Sequence, residues 1–180
     1  DAIILSDIGQ IPAAEVETLT KWVEEGGALI RFACEAGAII AGAAELDRMR
    51  LIRFGEIIGL AFQLRDDILG VFGDPAVTGK PAGDDLREGK RTVLVALTLQ
   101  GLTPSIGKIF EELLTSRELE PEQIAFMQQT IAESGALAKT ERMMEELADE
   151  SLNALESLDI DPRSKENLKA LALKVINREA

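Results

Sequence analysis

Two aspartates stand side by side at Asp66 and Asp67, in a stretch that is otherwise largely apolar. Such a pair is costly to bury unless something positive sits against it. On a helix, Gln63 lies one turn before Asp67 and Phe62 one turn before Asp66, so each pair shares a face. A polar patch on one side of an apolar helix suits a cation. Carboxylates without imidazole or thiolate neighbours favour Mg2+ over zinc. The loop that follows carries Lys80 and Lys90, each directly after a glycine. Carboxylates for a metal, with lysines nearby, suit a diphosphate held partly through Mg2+. The loop is no phosphate-cradling P-loop, because GxxxxGK[ST] is absent. The same residues also have a plainer reading, as a solvated acid pair followed by an ordinary Gly/Pro/Asp/Lys loop.

Composition removes other chemistries. The chain has 180 residues, 32 Asp+Glu against 19 Lys+Arg, a net charge of −13, no His and one Cys. Without imidazole there is no Ser–His–Asp triad and no His-built zinc site. Cys34 alone makes no internal disulfide, which points to a reducing, cytoplasmic setting. The acidic balance argues against nucleic acid as a partner. The N-terminus opens on Asp1 rather than a basic region, and no apolar run reaches the length of a membrane span, so neither targeting nor stable membrane insertion is expected.

The elements that must position the acids are helices from about residue 34 onward. Cys34–Ala44 is rich in Ala and Gly, which allows close helix approach. Asp47 can cap a long stretch to about Phe72, whose apolar positions cover much of its circumference, so that helix should be central. Residues 73–91 read as a polar loop. Thr92–Leu99 resumes a helix, and further helices are expected near 104–115, 121–133, 135–158 and 163–178, punctuated by Pro104, Pro121 and Pro162. Residues 1–33 read differently. AIILSD fits a buried strand, Pro12 opens a helix bearing Val16, Leu19 and Val23, and ALIRF at 28–32 reads as a second strand or the start of another helix. This allows a short β-α-β element and a segment of separate origin at 1–33, before a helical domain at 34–180.

The run FQLRDDILG followed by TGKPAGDDLREGKRT resembles the second aspartate-rich region of the trans-isoprenyl diphosphate synthases, in the polyprenyl synthetase family. The resemblance is to the geranylgeranyl type. GAIIAGA, FGEIIGLAFQ and the ending LALKVINREA extend it. It implies an all-α, isoprenoid-synthase-type helical bundle, of which this chain is the back half, usually dimeric. The implied reaction is a Mg2+-dependent condensation of an allylic diphosphate with isopentenyl diphosphate. By position, Asp66 and Asp67 would bind Mg2+, Gln63 would support the site and Phe62 would line the apolar cavity. Lys80 would contact the leaving diphosphate, with Lys90 assisting. Asp84 and Asp85 either orient the lysines or solvate the loop, the second being the favoured reading. Arg87 and Arg91 read as solvated too, and Arg65 as a structural counter-charge.

Departures from the family pattern carry their own expectations. Where the family's second motif has a third Asp, this chain has Gly70, as relatives of the geranylgeranyl type also do, so this departure carries little weight. Asp74 lies about 12 Å further along a helix than Asp66 and cannot take its place. No first aspartate-rich motif precedes residue 62, and the family's diphosphate-touching Lys-Thr pair aligns with Glu25 and Gly26. The alternative function is therefore a non-catalytic or truncated partner subunit that pairs with a complete synthase, as a heterodimer rather than a homodimer.

Overall fold

The computed structural model describes residues 28–176, and all their regular structure is helical. The β-α-β expectation falls mainly on residues 1–27, outside the described ones. Residues 28–32, open between strand and helix in the sequence, are helix. That helix, α1, runs from 28 to 40. It is followed by α2 (Glu45–Phe72), α3 (Pro75–Thr78), α4 (Asp84–Arg87), α5 (Val93–Gly101), α6 (Pro104–Leu114), α7 (Pro121–Glu133), α8 (Ala136–Glu156) and α9 (Pro162–Ile176). The described residues divide into two compact units, 66–142 and 28–65 with 143–176.

Four helix starts follow the proline rule. Pro75, Pro104, Pro121 and Pro162 are each the first helical residue, where a missing N–H costs nothing. Ahead of Pro121, the Glu120 amide donates to the Gln123 side chain at 2.9 Å, half of a capping box. The Thr92 hydroxyl accepts from the Val95 amide and caps α5. Helix α2 begins at Glu45, two residues before the expected cap. Asp47 sits in its first turn and pairs with Arg50 at 3.3 Å, so its charge complements the helix dipole without capping it. The expected loop at 73–91 holds two short helices. Asp74 caps α3, accepting from the Ala76 amide at 2.9 Å.

The unit formed by 66–142 is built around α5. Val93 to Thr98 are all buried, as expected of a helix that is apolar on every side. Phe110 and Leu114 of α6, with Ile124, Met127 and Ile131 of α7, complete its core. Both α4 and α5 pack on α7. In the other unit, Phe54, Ile57, Ile58, Ala61 and Leu64 of α2 are buried, as are Met144, Leu147 and Leu155 of α8 and Ala172 of α9. Helix α1 crosses α2 at Gly55, where an added Cβ would lie 2.9 Å from the Arg31 Cα and 3.0 Å from the Cys34 sulfur. Burial of these aliphatic and aromatic side chains supplies the main folding drive, roughly 1.5–3 kcal/mol for each fully buried one.

Candidate functional site

The sequence pair separates in space. Asp66 is half-buried, whereas Asp67 is 0% exposed. Consecutive residues on a helix point about 100° apart, so one carboxylate can face inward while its neighbour meets solvent. Neither carboxylate oxygen of Asp67 has a hydrogen-bond partner. The Val93 amide at the start of α5 faces it and favours its charge, as does Lys90, but both are outweighed. Burial first, then the charges of Asp85 and Asp66, push the Asp67 carboxyl well above the usual range. An unpartnered buried carboxylate costs several kcal/mol, which is a reason to look for a ligand that relieves it.

The loop supplies the surroundings. Asp85, expected to be solvated, is only 9% exposed. Its carboxylate lies over Gly70, so that a Cβ added there would overlap it. Lys90 donates to Asp85 Oδ1 at 2.5 Å and lies 2.9 Å from Glu88 Oε2. Burial alone would lower the Lys90 pKa. Hydrogen bonds to the two carboxylates overcome that and raise it. The Lys90 amide also donates to the Asp85 carbonyl at 3.0 Å, closing the turn on itself. Gly83 starts that turn with φ 75°, a left-handed conformation that side chains rarely adopt, and an added Cβ there would meet Ile124 of α7. From the same face of α7, the Gln128 amide nitrogen donates to the Val71 carbonyl at 2.6 Å, fastening the end of α2.

Of the residues singled out in the sequence, Asp67 and Lys90 are brought into one neighbourhood, with Asp66 adjacent. Lys80 is exposed on the loop after α3. It adds a small pull to the Glu88 carboxylate, which sits below its ordinary range chiefly through its hydrogen bond to Lys90. Phe62 and Gln63 are half-buried on α2, one turn before the acids. Arg87 is exposed as expected, while Arg65 and Arg91 are half-buried. Gln128 is the residue that sequence reasoning passed over, and Asp85 is the one whose lysine-orienting role it ranked second to solvation. For Asp85 a faint signal existed, since GDDL couples a glycine to an apolar residue that must be buried. For Gln128 there was none.

Among the described residues, no three His, Cys, Asp or Glu side chains gather into a ready cage. Mg2+ does not require one, because it retains waters and takes phosphate oxygens beside one or two carboxylates. Two orphaned Asp67 oxygens beside the accessible Asp66 fit that partial donor set.

Comparison with known proteins follows the same line. Residues 12–131 match the polyprenyl synthetase family model, a span that begins upstream of residue 34. Geranylfarnesyl diphosphate synthase of Aeropyrum pernix is 38% identical over 156 residues, covering 84% of this chain and 47% of its own length. Geranylgeranyl diphosphate synthase of Saccharolobus solfataricus is 32% identical, with 86% and 47% covered. The chain thus spans about half the length of the curated relatives it matches. Among solved structures, a Corynebacterium glutamicum geranylgeranyl pyrophosphate synthase complexed with isoprenyl diphosphate and magnesium superposes with TM-score 0.76 at 40% identity, over 87% of this chain and 47% of that one. A Streptomyces coelicolor polyprenyl synthetase gives TM-score 0.84 at 28% identity, over 96% and 53%. A helical fold of this kind, an acid pair on its long α2, and a family match over most of the chain lead to one conclusion: the chain belongs to the polyprenyl synthetase family.

Proposed function

We propose that this chain carries the back half of a Mg2+-dependent prenyltransferase of the geranylgeranyl or polyprenyl diphosphate synthase type. It joins an allylic diphosphate to isopentenyl diphosphate. The observation that carries the reading is the sealed, unpartnered Asp67 beside a reachable Asp66. These two carboxylates would hold Mg2+, which when bound would supply positive charge to the leaving diphosphate. Lys80 reaches the same diphosphate from its exposed loop, with Lys90 assisting, so positive charge meets the oxygens as the bond weakens. The allylic C–O bond breaks and diphosphate departs with the electron pair. The alkene of isopentenyl diphosphate attacks the allylic carbon, a C–C bond forms, and a proton is lost. Phe62 contributes apolar lining for the allylic tail, and Gln63 offers its amide one turn before Asp67. A cytoplasmic setting and a homodimer complete the reading.

A differential melt tests the metal site. Mg2+ with inorganic pyrophosphate raises the melting temperature of the chain, and Asp66→Ala removes the rise. No Mg2+-dependent shift in the parent chain would overturn the assignment.

A second reading has its own support, that of a partner subunit of a complete synthase. Leu29, Phe32, Ile39 and Ile40 of α1 and Leu46 and Met49 of α2 are large apolar residues left exposed. Size exclusion with and without a full-length synthase separates the two. Co-elution and no activity alone favour the partner, while a self-associated active chain favours the enzyme.

A further inference from the structure

We propose that Asp85 is a positioning residue for the metal site: seated in the space that Gly70 leaves on α2, it ties down Lys90 and so keeps the ammonium off the buried Asp67 oxygens, leaving them to a cation. The inference rests on the proposed metal-binding role of Asp66 and Asp67 and deepens it. An acid is missing from α2 at position 70, yet the space above that position is filled by an acid delivered from the loop. Asp85 is placed there by two anchors of its own turn, the left-handed Gly83 wedged over Ile124 and the Lys90 amide bonded back to the Asp85 carbonyl.

The consequence concerns Lys90. Its ammonium is close enough for its charge to be felt at Asp67, yet it bonds to Asp85 and Glu88, at 2.5 and 2.9 Å. A lysine side chain is flexible, and a buried carboxylate with two unsatisfied oxygens is a strong competitor for it. Glu88 is exposed and holds the ammonium weakly on its own. Remove the Asp85 charge and Lys90 folds onto Asp67, placing a monovalent ammonium where the divalent ion belongs. Asp85 therefore acts through Lys90 rather than by touching substrate.

The test is titration of the full chain with Mn2+, read by electron paramagnetic resonance of the free ion, with folding checked by circular dichroism. Asp85→Asn weakens Mn2+ binding about tenfold or more, a loss of at least about 1.4 kcal/mol. Asp85→Asn combined with Lys90→Met returns affinity to within about threefold of the parent, since the competing ammonium is gone. A role confined to packing would not be rescued by deleting the lysine. Gly70→Ala, which crowds Asp85 out of its seat, lowers Mn2+ affinity in the same direction and provides the test if Asp85→Asn does not fold. Parent-level binding by Asp85→Asn, or a double variant as weak as the single one, overturns the proposal while leaving the metal site standing. Failure of the parent chain itself to bind Mn2+ overturns the metal site, and this proposal with it.

Discussion

In the first half of α2, Arg53 and Glu56 stay partly exposed. Arg53 pairs with Glu150 at 2.8 Å, and Glu56 pairs with Arg31 at 3.0 Å. In its last turns, Asp67 is sealed from solvent and its oxygens bond to nothing. One helix thus carries two kinds of charge. The exposed pairs cost little to form and contribute little, because water already solvates both partners. The sealed acid costs a great deal, and the folded chain keeps it. The contrast teaches that a charge's burial and partners, more than its residue type, mark where a chain has given up stability for binding.

Three substitutions press on that contrast. Asp67→Asn, equal in shape and uncharged, should stabilise the metal-free chain by about 3 kcal/mol while removing the Mg2+–pyrophosphate response, as read by urea unfolding with and without the ligands. The pH dependence sharpens it. The folded chain holds the Asp67 proton more tightly than the unfolded chain does, so this residue's contribution is most favourable at acid pH. It is lost as pH rises from about 4 toward the raised folded value. The Asn variant should lose that part of the slope. An Asp67→Asn chain that melts below its parent across this range would mean that the acid is structurally satisfied.

Gly55→Ala should destabilise the chain by about 1–2 kcal/mol, even though alanine is the better helix former. Its Cβ would press on the Arg31 backbone and the Cys34 sulfur. An unchanged or higher denaturation midpoint would show that α1 yields there. Arg53→Ala should change stability by less than about 0.5 kcal/mol, and less still in 0.5 M salt. A loss above about 1.5 kcal/mol would erase the difference between the two halves of α2.

Much of the helical frame was readable before any coordinates. Pro104, Pro121 and Pro162 announce helix starts because a first-turn residue has no use for its N–H, and each one begins a helix. The apolar circumference of the stretch from Asp47 to about Phe72 forecast a central helix; within it Ile58, Ala61, Leu64 and Ile68 are buried, while Leu51, Ile52, Leu60 and Leu69 are half-buried. The loop at 73–91 was less readable. Asp74 could be weighed only as a distant acid, whereas its side chain in fact caps α3. Asp85 was read as solvated because no local rule distinguishes it from Asp84, yet only Asp84 stays half exposed.

Local chemistry, written in residue order, determined the family, the acid pair and the helix starts. These depend on spacing of a few residues along one strand of chain. Which acid is sealed, which lysine is committed elsewhere, and what fills the gap at Gly70 depend on groups that only folding brings together. Asp85 lies 15 positions from Gly70, and Gln128 lies 57 from Val71. Desolvation and Coulomb energies depend on distances through space, so they exist only once the tertiary structure has set them.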